Sequence, residues 1–412
     1  MAFLFWVLRS FSWQQNQAKE GAGTSFAKSR PWQVRGRRSA EGVRRQTAPW
    51  QVNQGATTGS LFWLRMRKAH QYWVVAGSLL SIVLYTSFVN RQHQASVPCL
   101  QDSMNLQPPA LRGKDISLSD GTLTFHLDRS IYEDLFPELQ YYQCRELVSQ
   151  DDLCQGEVPG GPPLLLLAIK SHPASSNRRA ALRRTWAQPR VAGGFRLKYV
   201  FLMATSPDAR HANLVKQEIN AIGDILMWDF VESHHKLSLK ERCFLQWLQQ
   251  HCQQATYVFK GDDDLFVNIE ALTEYLNRTP NASEFIHGNI QYHSTVVRTG
   301  KYAVSPAFYP MNRYPHFASG GGFIMPRTSI SKLYKTSLCF PVFPLDDVYL
   351  GFLALAAGVQ YQHNNRFRVW GPPKDEFEVY RNSVVVHGLS MERIEQVWKE
   401  IQKPVQPSNP GH

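Results

Sequence analysis

The chain sets short, unbroken apolar runs between amphipathic stretches. Leu164 to Ile169 (L-L-L-L-A-I) reads as a strand buried on both faces. Leu197 to Met203 reads as a second buried strand, and Asp224 to Phe230 (D-I-L-M-W-D-F) as a third strand-like piece. Tyr257 to Phe259 and Leu265 to Ile269 are shorter strand-like runs rich in β-formers. Helical patterns fall between and after them: the segment around Arg178 to Trp186, Asp208 to Ala221, Leu239 to Gln250 with Lys240 at its start, and Val348 to Ala357. Ser130 to Leu139 predicts a further short helix. Strands alternating with helices predict an α/β domain built on a parallel-rich sheet, and ligands gather at the C-terminal ends of such strands.

Tyr72 to Val89 is apolar for eighteen residues and holds no charge, enough to cross a bilayer as a helix. Arg65, Arg67, Lys68 and His70 precede it, while only Arg91 and His93 follow closely. The positive-inside rule then places the N-terminus in the cytosol and the bulk of the chain outside it. Residues 1–71 read as a basic, disordered tail, 72–89 as a signal-anchor, 90–130 as a stem and 131–403 as the folded lumenal domain. Met66, just before the anchor, is a second candidate start. The net charge of +12 suggests nucleic acid until its distribution is read. Residues 1–68 hold twelve Lys or Arg against Glu20 and Glu41, a surplus of +10, so the rest carries only +2. Nucleic acid is not an expected partner.

Candidate chemistry centres on Lys260-Gly261-Asp262-Asp263-Asp264, between two strand-like runs. Three carboxylates there are costly unless something cationic neutralises them. In an extended segment Asp262 and Asp264 share a face and Asp263 points away. Two converging carboxylates suit a hard divalent cation, Mn²⁺ or Mg²⁺, which leaves positions open for phosphate oxygens. Arg178 and Arg183, on the helix after a likely strand end, suit an anionic ligand. Gly320-Gly321-Gly322 permits close backbone approach to a ligand. Asp346 or Asp347 can cap the helix at Val348, leaving the other for chemistry. His387 follows the buried run Val384 to Val386.

Of the six cysteines, Cys144 and Cys154 flank a polar segment and are placed to close a small loop. Cys243 and Cys252 lie nine residues apart on one helix, about 13 Å, too far to pair with each other. Cys243 is expected to be a buried thiol. Asn277 (N-R-T) and Asn281 (N-A-S) are glycan acceptor sequons, which agree with a lumenal domain.

Six segments together resemble the animal β1,3-glycosyltransferase family: L-L-L-L-A-I-K-S, R-R-A-A-L-R-R-T-W, F-K-G-D-D-D-L-F-V-N, Y-P-H-F-A-S-G-G-G-F, F-P-L-D-D-V-Y-L-G and V-V-V-H-G. The chain looks most like the branch that adds N-acetylglucosamine to the galactose of N-acetyllactosamine chains. The resemblance implies a GT-A-like, Rossmann-type mixed sheet flanked by helices, a UDP-sugar donor, a galactose-terminated glycan acceptor, an inverting mechanism and a Golgi membrane setting. It implies Asp262, Asp264 and His387 as Mn²⁺ ligands and Asp347 as the base. Arg178, Arg183 and Lys240 are implied in donor recognition, and Lys260, Asp263, Gly320, Gly321, Gly322 and Asp346 complete the substrate-binding set. Self-association, or association with another chain, is compatible with it. Rival readings are a galactosyltransferase, a catalytically silent carbohydrate-binding relative, and a scaffold acting through the basic tail. Ala318 and Leu353 stand where relatives carry cysteines, so the family's disulfide map does not transfer. Lys236-Leu237-Ser238 replaces a common sequon.

Overall fold

The structure is a computed structural model and describes residues 113–156 and 160–403. The predicted tail, the anchor at 72–89 and the stem as far as residue 112 lie outside the described residues. Among the described residues no helix is long and apolar enough to cross a membrane.

The described residues form fourteen strands in chain order: β1 (Asp115–Ser119), β2 (Thr124–Asp128), β3 (Glu146–Val148), β4 (Leu164–Lys170), β5 (Arg190–Ala192), β6 (Phe195–Thr205), β7 (Ile225–Val231), β8 (Ala255–Asp262), β9 (Phe266–Val267), β10 (Phe285–Gln291), β11 (Phe317–Pro326), β12 (Gln360–His363), β13 (Phe367–Arg368) and β14 (Val385–Val386). The α-helices are α1 (Arg129–Leu135), α2 (Pro137–Gln140), α3 (Ser176–Arg184), α4 (Ala209–Ile222), α5 (Leu237–His251), α6 (Ile269–Arg278), α7 (Arg327–Ser337), α8 (Asp346–Ala357), α9 (Phe377–Arg381) and α10 (Met391–Ile401). The main sheet has nine strands in the order β12-β10-β11-β8-β4-β6-β7-β3, with β5 paired to β6. Its centre, β8-β4-β6-β7, is parallel, and β11 and β3 join antiparallel. The mixed sheet flanked by helices agrees with the GT-A-like class expected from the sequence.

β4 shows why the centre is parallel. All seven of its residues are buried. Leu164, Leu166 and Ala168 pack into the core that also receives α5 and α8, while Leu165, Leu167 and Ile169 pack into the other with α3 and α10. A strand covered on both faces needs no polar alternation. Each fully buried leucine contributes roughly 1.5–3 kcal/mol. The register sets Lys170, the last residue of β4, beside Asp262, the last residue of β8. Two strand ends thus deliver a cation and an anion to one point on the sheet's C-terminal edge.

Several expectations are corrected. Residues 115–128 are not stem: β1 and β2 form an antiparallel hairpin that buries Ile116, Phe125 and Leu127 in the core. The predicted helix 130–139 breaks into α1 and α2 at Phe136, because the residue before Pro137 is driven out of the α region. Of Leu265 to Ile269 only Phe266–Val267 is strand. Asn268 turns the chain and caps α6, its side-chain oxygen accepting from the Ala271 N–H at 3.1 Å. The three glycines are not in a loop but inside β11. Cys144 does not pair with Cys154: the bridges are Cys144–Cys243 and Cys154–Cys252. They join the segment around β3 to the middle of α5, at Cys243, and to its C-terminal cap, Cys252. Proximity along the chain misleads here, because each partner lies 99 or 98 residues away, on or at the end of α5. Cys243 is buried as expected, but as a disulfide.

Candidate active site

β8 runs buried until Gly261, and the chain then turns through Asp262, Asp263 and Asp264. Asp262 and Asp264 share a side as expected, but through a turn at Asp263–Asp264 and not through an extended segment. Asp262 and Asp264 converge on His387, each offering a ligand atom, all within 4.8 Å of one another. His387 Nε2 is 3.4 Å from Asp264 Oδ1 and 3.8 Å from Asp262 Oδ2. The small sheet β13-β14-β9 carries the histidine there: Val386 pairs with Phe266, and the Leu389 N–H donates to the Asp264 carbonyl at 3.0 Å. Asp264 Oδ1 is buried with no hydrogen-bond partner. Two carboxylates, one imidazole and an orphaned carboxylate oxygen fit a divalent cation.

Asp263 points the other way. Its Oδ2 accepts from Ser171 Oγ at 2.7 Å, and Arg178 Nη1 lies 3.8 Å from its Oδ1. Burial raises its pKa, against the pull of Ser171 and Arg178. Arg178 also lies 3.9 Å from Asp264 Oδ2, so one guanidinium spans both neighbours of the turn.

The second acidic pair does not cap its helix. The cap residue of α8 is Leu345, which makes no side-chain cap bond; both aspartates sit inside the first turn. Asp346 Oδ2 accepts from Lys170 Nζ at 3.0 Å, and the same ammonium is 3.1 Å from Asp262 Oδ1. Asp347 Oδ2 accepts from the Gly320 N–H at 2.8 Å. The first turn of a helix favours negative charge, so the pair is stabilised in place without capping. Burial and the Asp346 charge push the Asp347 carboxyl up to about 7. Asp346 goes the opposite way: burial pushes it up, but Lys170 and Lys260 outweigh that and hold it down. Lys170 is raised well above an ordinary lysine, because the aspartates 262, 346 and 347 overcome its burial. It therefore stays charged.

The glycines make this closeness possible. A Cβ on Gly320 would fall 2.5 Å from Asp347 Oδ1; one on Gly321 would meet Val369 at 3.1 Å and His387 at 3.2 Å. Gly322 has φ +123° and a Cβ there would fall 2.9 Å from Val385. β11 thus passes between the α8 aspartates and the strand that carries His387.

Two adjoining cavities open here. One, about 600 Å³, is lined by Arg178, Lys240, the three triplet aspartates and His387. The other, about 480 Å³, is lined by Asp346, Asp347, Gly320, Tyr314, Phe317 and Trp370 among others. Lys170, Asp262 and His387 line both. Lys240 is nearly inaccessible, its Nζ bonded to Glu232 at 2.8 Å and to the Ser171 and Leu202 carbonyls, so it supports the cavity from below.

Two expected substrate contacts are not brought to the cleft. Arg183 is bound to Glu218 and bidentately to Asp224, with its guanidinium over Phe201. Lys260 is buried against Glu241, its Nζ 5.3 Å from the centre of the Phe323 ring. Both lie among buried acids that take up their charge. Lys170, Ser171 and Glu232 line the site and were missed. The signal for Lys170 was present: a cation directly after a doubly buried strand marks a C-terminal strand end.

The galactosyltransferase family pattern matches residues 177–365. UDP-GlcNAc:betaGal beta-1,3-N-acetylglucosaminyltransferase 9 of Homo sapiens is 34% identical over 289 residues, which are 64% of this chain and 72% of that protein. N-acetyllactosaminide beta-1,3-N-acetylglucosaminyltransferase 4 of Homo sapiens is 36% identical over 243 residues, 57% of this chain and 64% of that protein. Acetylgalactosaminyl-O-glycosyl-glycoprotein beta-1,3-N-acetylglucosaminyltransferase of Mus musculus is 30% identical over 315 residues, 72% of this chain and 78% of that protein. The matched span holds both acidic clusters and the glycine strand, so the chain belongs to the galactosyltransferase family, and the three relatives named above are animal β1,3-N-acetylglucosaminyltransferases.

Proposed function

We propose that this chain transfers N-acetylglucosamine from UDP-GlcNAc, in β1,3 linkage and with inversion, to a terminal galactose of N-acetyllactosamine-type glycans. The observation that carries the reading is Asp347. Its half-buried carboxyl is pushed up to about 7 and opens on a cavity that adjoins the Asp262–Asp264–His387 cluster. A general base works best when its pKa lies near the operating pH. The relatives named for this donor and linkage support the choice of sugar.

In this mechanism Asp347 takes the proton from the galactose 3-hydroxyl. That oxygen bonds to C1 of the N-acetylglucosamine as the C1–oxygen bond to UDP breaks, and UDP leaves with the electron pair. Attack from the face opposite UDP inverts the anomeric centre. The Gly320 N–H holds the carboxylate in position, and Lys170 fixes the neighbouring Asp346 so that only Asp347 is free to accept a proton. Arg178 places positive charge at the donor cavity. A divalent cation, Mn²⁺ by preference, held by Asp262, Asp264 and His387 would neutralise the charge gathering on the UDP leaving group.

The setting proposed is a Golgi membrane, with Tyr72 to Val89 as a type II anchor and the described domain in the lumen. Support comes from the flanking charges and from two exposed sequon asparagines, Asn277 and Asn281. Protease on sealed vesicles should remove the N-terminal tail only; a protected tail contradicts this orientation. The activity is tested by a panel of UDP-sugars against β-galactoside acceptors, using the full chain in detergent with Mn²⁺. N-acetylglucosamine transfer to N-acetyllactosamine is expected; transfer from UDP-galactose alone, or no transfer at all, contradicts the reading.

A further inference from the structure

Among the described residues Trp370 is unlike the other tryptophans. Trp186, Trp228 and Trp247 are fully buried and Trp398 is partly so, whereas Trp370 is 83% exposed. Exposing so large an apolar ring forgoes its usual burial, which points to a partner surface. Its position is equally specific. Trp370 lines the cavity that holds Asp347 and Gly320. The preceding residue, Val369, is buried and packs over Gly321, where an added Cβ would be 3.1 Å away. Gly371 turns with φ +82°, and Pro372 and Pro373 then restrict the backbone. The indole is therefore held at the mouth of the cavity by an anchored segment. Val297 and Tyr302, 47% and 52% exposed, belong to the same cavity wall.

We infer that Trp370 is a stacking platform for the acceptor sugar ring and sets the preference for β-galactosides; this rests on the acceptor class proposed above. Galactose suits such a platform. Its 4-hydroxyl is axial, so the C3–H, C4–H and C5–H bonds gather on one face as an apolar patch, while the 3-hydroxyl stays in the ring plane. A ring stacked by that patch on an indole keeps its 3-hydroxyl free to meet a base. The equatorial 4-hydroxyl of the 4-epimer, glucose, presents a different pair of faces. Trp370 touches substrate in this account but takes no part in proton transfer.

The test uses the full chain, with Trp370→Ala and Trp370→Tyr beside the wild type. Transfer kinetics are measured with N-acetyllactosamine and with its 4-epimer at the terminal sugar. UDP affinity, and saturation transfer from protein to acceptor by NMR with UDP present, are measured in parallel. Trp370→Ala is expected to raise the acceptor KM roughly tenfold, the scale of one lost aromatic contact. It should narrow the preference over the 4-epimer and leave UDP affinity unchanged, and Trp370→Tyr should recover most of the loss. A KM within twofold of wild type, or a Tyr variant no better than Ala, overturns the platform alone. A wild-type chain that neither glycosylates β-galactosides nor receives saturation transfer to them overturns the acceptor reading and the platform with it.

Discussion

Asp347 differs from Asp346 by one position and by opposite surroundings. Asp346 takes Lys170 as its partner; Asp347 has one backbone N–H and a charged neighbour. The pair therefore separates, with Asp346 ionised and Asp347 pushed up to about 7 by burial and by Asp346. If Asp347 is the base, it acts only when ionised, so transfer should rise as pH rises through about 7 and level off above it. Asp346→Asn removes the like charge but not the burial. The midpoint of the pH–rate profile should move to lower pH while staying above the range of an exposed carboxylate. A midpoint that stays put or climbs would show that the two acids do not interact as described. The sequence shows the acidic pair but not this division. Capping was the natural reading of two aspartates before an apolar helix. What decided otherwise was Lys170, some 176 residues away in the chain.

At the scale of elements, the strands were legible wherever burial was two-sided. Leu164 to Ile169 is unbroken because helices cover both faces, and Val200 to Met203 is buried in the same way; both lie in strands as expected. The glycine run and the disulfides were not legible, for a shared reason: each depends on a neighbour distant in sequence. Gly320 to Gly322 form a strand because β8 and β10 flank it. The bridges Cys144–Cys243 and Cys154–Cys252 close almost the same loop, with separations of 99 and 98 residues. The two loops overlap, the second opening and closing about ten residues after the first. With one bridge intact, the other closes a ring of only about 20 residues, worth about 3 kcal/mol in the chain-entropy account, whereas the first closure of a ~100-residue loop is worth about 4.7. Replacing both cysteines of one bridge by alanine should cost about 3 kcal/mol, and replacing all four about 8. Denaturant unfolding of the two variants measures this. Equal losses from the single and double removals would mean that the bridges do not act through the unfolded chain.

For the whole molecule, the order of the motifs along the chain carried the class, and the sheet explains why. β4 and β8 end together at Lys170 and Asp262, β14 brings His387 against that end, and α8 brings Asp346 and Asp347 against Lys170. The acidic turn and the histidine were therefore recognisable as one site. Arg183 and Lys260 were not separable from true cleft residues, because their buried partners Asp224, Glu218 and Glu241 come from other elements. The resulting division of labour is the central claim: Asp264 serves the donor side and Asp347 the acceptor side. It is tested most directly by UDP affinity in the presence of Mn²⁺, measured beside the rate of N-acetylglucosamine transfer, for Asp264→Asn and Asp347→Asn in the full chain. Asp347→Asn should lower transfer by roughly 10²- to 10⁴-fold and leave UDP affinity at the wild-type value, while Asp264→Asn should weaken both. An Asp347→Asn variant that keeps transferring, or that loses UDP along with transfer, would contradict the account.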